Sequence, residues 1–142
     1  MAEAAETKTG TDSNTGEFPG TGRRKRATAR VRIKPGDGKM IINRRPVENY
    51  FPVETHRIII NEPFTVTENN EKFDVRINVH SGGISGQADA IRLGISRALL
   101  IYDADLRPTL KAEGLLTRNS YVRERKKYGQ PGARKRFQYS KR

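Results

Sequence analysis

The stretch KFDVRINVHSGGISGQADAIRLGISRALLIY, residues 72–102, decides the fold. Its first part has period two. Phe73, Val75, Ile77 and Val79 alternate with Asp74, Arg76, Asn78 and His80, which is the pattern of a half-buried strand. A loop of Ser81-Gly82-Gly83-Ile84-Ser85-Gly86-Gln87 follows. The period then changes: Ile84, Ala88, Ile91, Ile95, Ala98, Leu99 and Tyr102 recur at three- and four-residue steps, so a helix over about Ser85 to Tyr102 would carry them on one face, with Ser85 as a possible N-cap. A strand feeding a long amphipathic helix predicts helices packed on one face of a small sheet.

Working outward, Arg24 to Lys34 also alternates, with Ala29, Val31 and Ile33 against Arg30, Arg32 and Lys34. Pro35-Gly36-Asp37-Gly38 is a turn signal, and Lys39 to Asn43 is expected to return beside the first strand as a hairpin. Val47 to Phe64, broken up by Pro46, Pro52 and Pro63, reads as short helical turns, with Arg57-Ile58-Ile59-Ile60 open to a short helix or a buried strand. Asp103 to Gly114 reads as a second helix, with Pro108 near its start, Gly114 past its end, and Leu106, Leu110 and Leu115 toward the core. Ser120 to Lys127 suggests a last strand, with Tyr121 packed on the core.

The chain has 142 residues, no cysteine and a net charge of +12. The charge is unevenly placed. Residues 36–117 hold ten Lys/Arg and eleven acids, whereas residues 21–35 hold seven Lys/Arg and no acid, and residues 118–142 hold ten with only Glu124 opposing them. Two cationic segments flanking a near-neutral middle point to a polyanionic partner. A solvated charge run explains one such cluster more readily than two. Residues 1–20, poor in apolar side chains, are expected to be a disordered extension; residues 21–127 form the globular domain and 128–142 an extended basic tail. The opening segment lacks the apolar stretch of a secretory signal, and no apolar run is long enough to cross a membrane.

The residues expected on RNA in the first segment are Arg23, Arg24, Lys25, Arg26, Arg30 and Arg32. In the second they are Arg123, Arg125, Lys126, Lys127, Arg134, Lys135 and Arg136. Guanidinium and ammonium groups neutralise phosphates and release counterions. Tyr121, Tyr128, Phe137 and Tyr139 interleave the second segment, so bases could stack there. From Gly129 the last 14 residues could reach ~45 Å. Gly82-Gly83 and Gly86, ahead of a helix, fit either a tight turn with a cap or a phosphate contact; neither the Walker nor the dinucleotide pattern is present. Catalysis is poorly supplied. His56 and His80 lie in separate segments, and Asp103 and Asp105 read as capping or solvated charges. No cofactor or metal is implied.

In this order, GTGRRKRATARVR (20–32), GGISGQADAIRLGISRAL (82–99), GLLTRN (114–119), RERKKYG (123–129) and the final SKR (140–142) closely resemble the bacterial family of the ninth protein of the small ribosomal subunit. The resemblance covers about residues 20–142. The chain departs from it slightly at Ser81 or Ile84, where the family often has a third glycine, and at Asn119, where Asp is common. The resemblance implies an α+β two-layer domain with a left-handed βαβ crossover, like domain two of the fifth small-subunit protein. It further implies binding to small-subunit rRNA in the head, neighbours among head proteins, and a place on the cytoplasmic ribosome. It implies that the tail tip, Ser140, Lys141 and Arg142, approaches the anticodon stem-loop of P-site tRNA. Two rival readings remain open here: a protein partner of a catalytic RNA, and a small-molecule kinase relative.

Overall fold

Two strands carry the inner face of the sheet. In the computed structural model, which describes residues 16–141, β2 (Ala27–Pro35) and β5 (Phe73–His80) pair antiparallel from Thr28↔His80 to Pro35↔Phe73. Ala29, Val31 and Ile33 meet Val79, Ile77 and Val75 on one face, and all six are buried. β1 (Phe18–Arg24) lies antiparallel outside β2. β3 (Met40–Ile42) runs parallel to β5 on its other side and pairs with the two-residue β4 (Arg45–Pro46). The order is β1-β2-β5-β3-β4. Between β4 and β5 come α1 (Val47–Tyr50) and α2 (Glu54–Val66). After β5 come α3 (Ile84–Tyr102), a 3-10 turn (Ala104–Leu106) and α4 (Arg107–Ala112). The fold is the expected α+β, two-layer arrangement of one small sheet with helices packed on it.

Several expectations are corrected. The first strand was hidden within the segment read as an extension: β1 begins at Phe18, while residues 1–15 lie outside the described residues. The hairpin between β2 and β3 does not form. β5 takes the place beside β2 because eight residues of matching alternation outcompete a three-residue strand. The Asp74 carboxylate then bends the intervening turn around the start of β5, accepting from Asp37 N at 3.1 Å and Lys39 N at 2.9 Å. The Val47–Phe64 region opens on a short helical turn, as expected, but continues as the 13-residue α2, which runs on to Val66. Its Arg57–Ile60 segment buries Ile60, and Glu62 pairs with Arg92 of α3 at 2.9 Å. Ile84 is 52% exposed at the first turn of α3, and the cap is Gly83 without a side-chain bond, not Ser85. Ser120–Lys127 forms no strand, and Tyr121 is 79% exposed. β1 and β4 already end the sheet, and this segment has no inward row to bury.

α3 binds the sheet through its small residues. Ala88, Ala90, Gly94 and Ala98 are all buried, and opposite them β1 presents Gly20 and Gly22. A methyl group at Gly22 would overlap the Ala90 carbonyl oxygen; one at Gly20 would lie 2.9 Å from Ala98 Cβ; one at Gly94 would lie 2.6 Å from Val31 Cγ2. Strand and helix therefore approach backbone to backbone. At the far end, Tyr102 packs edge-on against Phe18 (5.2 Å between centroids) and Phe73 (4.9 Å). Leu110 and Leu115 are buried in the same core, as expected.

Gly22→Ala should cost roughly 3 kcal/mol or more in denaturant unfolding, because the added methyl forces two backbones apart. Gly83→Ala, with nothing within 4 Å of its Cβ, should change stability by less than about 1 kcal/mol.

Candidate nucleic-acid interface

Three segments converge at one end of the sheet. The β1–β2 connection is a two-residue turn, Lys25-Arg26, closed by the Arg24↔Ala27 pair. Such turns need a positive φ, and Lys25 supplies it with φ 52°. Glycine fits that conformation more easily, so a lysine there sets local backbone strain against a cation at the tip. Beside the turn lies the Ser81–Gly83 loop, where Ser81 and Gly82 have φ 63° and 69°. Gly82 rests on the Ala27 backbone, where a Cβ would come within 2.9 Å of Ala27 N. The loop is held from behind. Gln87 Nε2 donates to Ser81 O at 3.0 Å, Tyr50 Oη donates to Gln87 Oε1 at 2.9 Å, and Asn43 bridges both backbone groups of Val79 at 2.8 and 2.9 Å.

The third segment is the start of the C-terminal tail. Together Arg24, Lys25, Arg26, Gly82, Gly83, Tyr121, Val122, Arg123 and Glu124 line an open groove of about 670 Å³. Its floor is apolar at Tyr121 and Val122 and cationic around them. Gly83, the N-cap of α3, lines it, so the positive end of the helix dipole lies beside the side-chain charge.

Arg24 is engaged inside the protein. Its Nε donates to Asp89 Oδ2 of α3 at 3.4 Å, and its Nη1 donates to the carbonyls of Tyr121 at 3.1 Å and Asn119 at 3.5 Å. Asn119 Oδ1 in turn accepts from Tyr121 N at 2.9 Å. Arg24 therefore fastens the root of the tail to the domain. Arg23 is exposed on the neighbouring rim, near Arg92.

Further along, Arg125 and Lys126 are exposed, while Glu124 pairs with Lys127 and with Arg134 Nε at 2.9 Å. The hydrogen bonds from Lys127 and Arg134 hold the Glu124 carboxyl below the ordinary carboxylate range. The fold-back is therefore intact at and above that range, and it is released as pH falls through the lowered value. The tail turns at Tyr128-Gly129, with Gly129 at φ 67°. Lys135, Arg136, Phe137, Tyr139, Ser140 and Lys141 are exposed, and Arg142 lies outside the described residues.

Arg30 and Arg32 lie elsewhere, on the sheet face opposite the helices. The sequence reading missed Arg76 beside them. Its outward direction was legible from the alternation of β5. Its place opposite Arg32 was not, because that depends on β5 pairing with β2. Among the described residues, no three of His, Asp and Glu cluster as a metal site would require.

The fold and this end of it define a small basic α+β domain that sends a cationic tail out from an open groove. A sequence profile of the family described as Ribosomal protein S9/S16 matches residues 22–142, and the chain belongs to that family. Members are structural ribosomal proteins that bind rRNA in the small subunit.

Arg24→Gln should loosen the tail root. Amide exchange at Tyr121, whose N–H is held by Asn119 Oδ1, should speed roughly tenfold, equivalent to about 1.4 kcal/mol for a lost charge-assisted bond. Arg26→Gln, which removes a charge without touching the tail, should leave that exchange unchanged.

Proposed function

We propose that the chain acts as a non-catalytic scaffold of the small-subunit head on the cytoplasmic ribosome, and that its tail tip touches P-site tRNA. One observation carries this reading: the turn at Lys25-Arg26, the Ser81–Gly83 loop and the tail root share one cationic groove with an apolar floor. An RNA strand is suited to that groove, its phosphates meeting Lys25, Arg26 and Arg123 and its bases meeting Tyr121. In this account Arg23, Arg125, Lys126, Lys127, Lys135 and Arg136 extend the phosphate contacts. Arg134 would join them, and Lys127 be fully available, once both leave Glu124. Arg24 contributes by aiming the tail.

The tip reading rests on the tail's charge, its exposure and its resemblance to the family. Ser140, Lys141 and Arg142 carry two cations with no acid nearer in sequence than Glu124. Two cations at the end of an extended chain suit a phosphate backbone beyond the reach of a folded domain. The α2 side of the domain, with Val53 and Ile58 exposed, is left for protein neighbours in the head.

Removing Ser140–Arg142 should leave incorporation into the small subunit intact and weaken P-site tRNA binding. Because each lost phosphate contact lowers the salt slope by about one, the truncated subunit should also respond less steeply to salt. Unchanged tRNA affinity across a salt titration would refute the tip's role.

A further inference from the structure

On the helix-free face of the sheet, Arg32 of β2 and Arg76 of β5 are directly opposed. Like charges in that arrangement repel unless an anion lies between them. Here the anion is Glu17, which reaches across from the start of β1. Arg76 Nη2 donates to both Glu17 oxygens at 2.9 Å, and Arg32 Nη1 lies 3.7 Å from Glu17 Oε2. The Glu17 side chain is only 14% exposed, whereas those of Arg32 and Arg76 remain 49% and 56% exposed. The carboxylate is thus covered by two guanidiniums that still face outward.

The surroundings favour an anion at this place. One step along the face, Arg30 stands between Thr21 and Asn78, with no acid beside it. In the other direction Lys34 is opposed by Asp74, whose Oδ1 is committed to the 36–39 turn. Pro19, opposite Arg32 on β1, has no polar side chain to hold either arginine. Among the described residues only Glu17 pairs with the two arginines, and it comes from the start of β1, at the free edge of the sheet.

We propose that Arg32 and Arg76 form a phosphodiester site, occupied in the free protein by Glu17 as a resident counterion that RNA displaces. Arg76 Nη2 already bonds both oxygens of the anion and Arg32 Nη1 stands 3.7 Å from one of them, and guanidiniums so placed suit a phosphate as well as a carboxylate. The proposal rests on the reading that the chain binds rRNA, and it adds a second contact surface, distinct from the groove. Glu17 lowers non-specific affinity for anions, since a weak competitor must first yield the pair. Many simultaneous contacts on rRNA meet that cost.

The test measures binding of the full chain to purified small-subunit rRNA at several KCl concentrations. Glu17→Gln should bind several-fold more tightly and with a salt slope steeper by about one, and Arg76→Gln more weakly, with a slope shallower by about one. Arg76→Lys should fall between the wild type and Arg76→Gln, because it keeps the charge and loses the fork. The Arg76 side-chain NMR signals should move on adding RNA, and those of Glu17→Gln should reach the same bound position at lower RNA concentration. Unmoved Arg76 signals, or Glu17→Gln binding no tighter than wild type, would overturn the proposal and leave Glu17 a structural ion pair. A Lys25→Gln/Arg26→Gln variant separates the two readings. If it alone weakens binding, the groove stands and the sheet-face site falls. If no variant changes binding, both fall.

Discussion

The close approach of β1 to α3 is the constraint on which the rest of the molecule depends. Gly20 and Gly22 face Ala90, Gly94 and Ala98 with no room for a side chain between them. Because the contact is backbone to backbone, it fixes the helix axis on the strand more tightly than interdigitating side chains would. It also sets the direction of β1 at its last residues. Arg24 leaves that strand beside Asp89, one residue before Ala90, and so meets both α3 and the tail. The turn at Lys25-Arg26 projects past the N-terminus of α3 for the same reason.

That geometry turns scattered sequence charge into a directed surface. Residues 21–35 and 118–142 are far apart in the chain, yet Arg24 ties them together with bonds to Asn119 and Tyr121. The acids do local work in both regions. Asp89 orients Arg24, Glu124 folds the tail back through Lys127 and Arg134, and Glu17 separates Arg32 from Arg76. In each case a carboxylate positions cations that remain at or near the surface. Exposed pairs such as Glu124–Arg134 add little stability individually, and all of these carboxylates decide where guanidiniums point before a polyanion arrives.

The strongly periodic parts of this arrangement were legible in the sequence. β2, β5 and α3 each repeat an apolar residue often enough to declare both type and inward face. β1 was not legible, because its inward positions are Phe18, Gly20 and Gly22, and glycine carries no hydropathy signal. The close contact that organises the fold is thus the one a hydropathy pattern cannot show. The turn at Pro35–Gly38 announced a reversal but not a partner; β5, arriving only at Phe73, took the place beside β2. Tyr121 looked like a core residue by type, yet the sheet is complete without its segment, and it lines the groove instead. Lys25 and Arg26 were found by charge alone, whereas the internal commitment of Arg24 needed the positions of Asp89 and Tyr121.

The central claim is that RNA meets the groove end and the helix-free sheet face, leaving the α2 side to solvent or protein. Hydroxyl-radical footprinting of the chain, free and bound to small-subunit rRNA, tests this most directly. Protection should appear at Tyr121, Val122 and the Lys25-Arg26 turn, while Ile58 and Val53, exposed around α2, remain as reactive as in the free protein. Protection at Ile58 and Val53 with Tyr121 and Val122 unprotected would contradict the account.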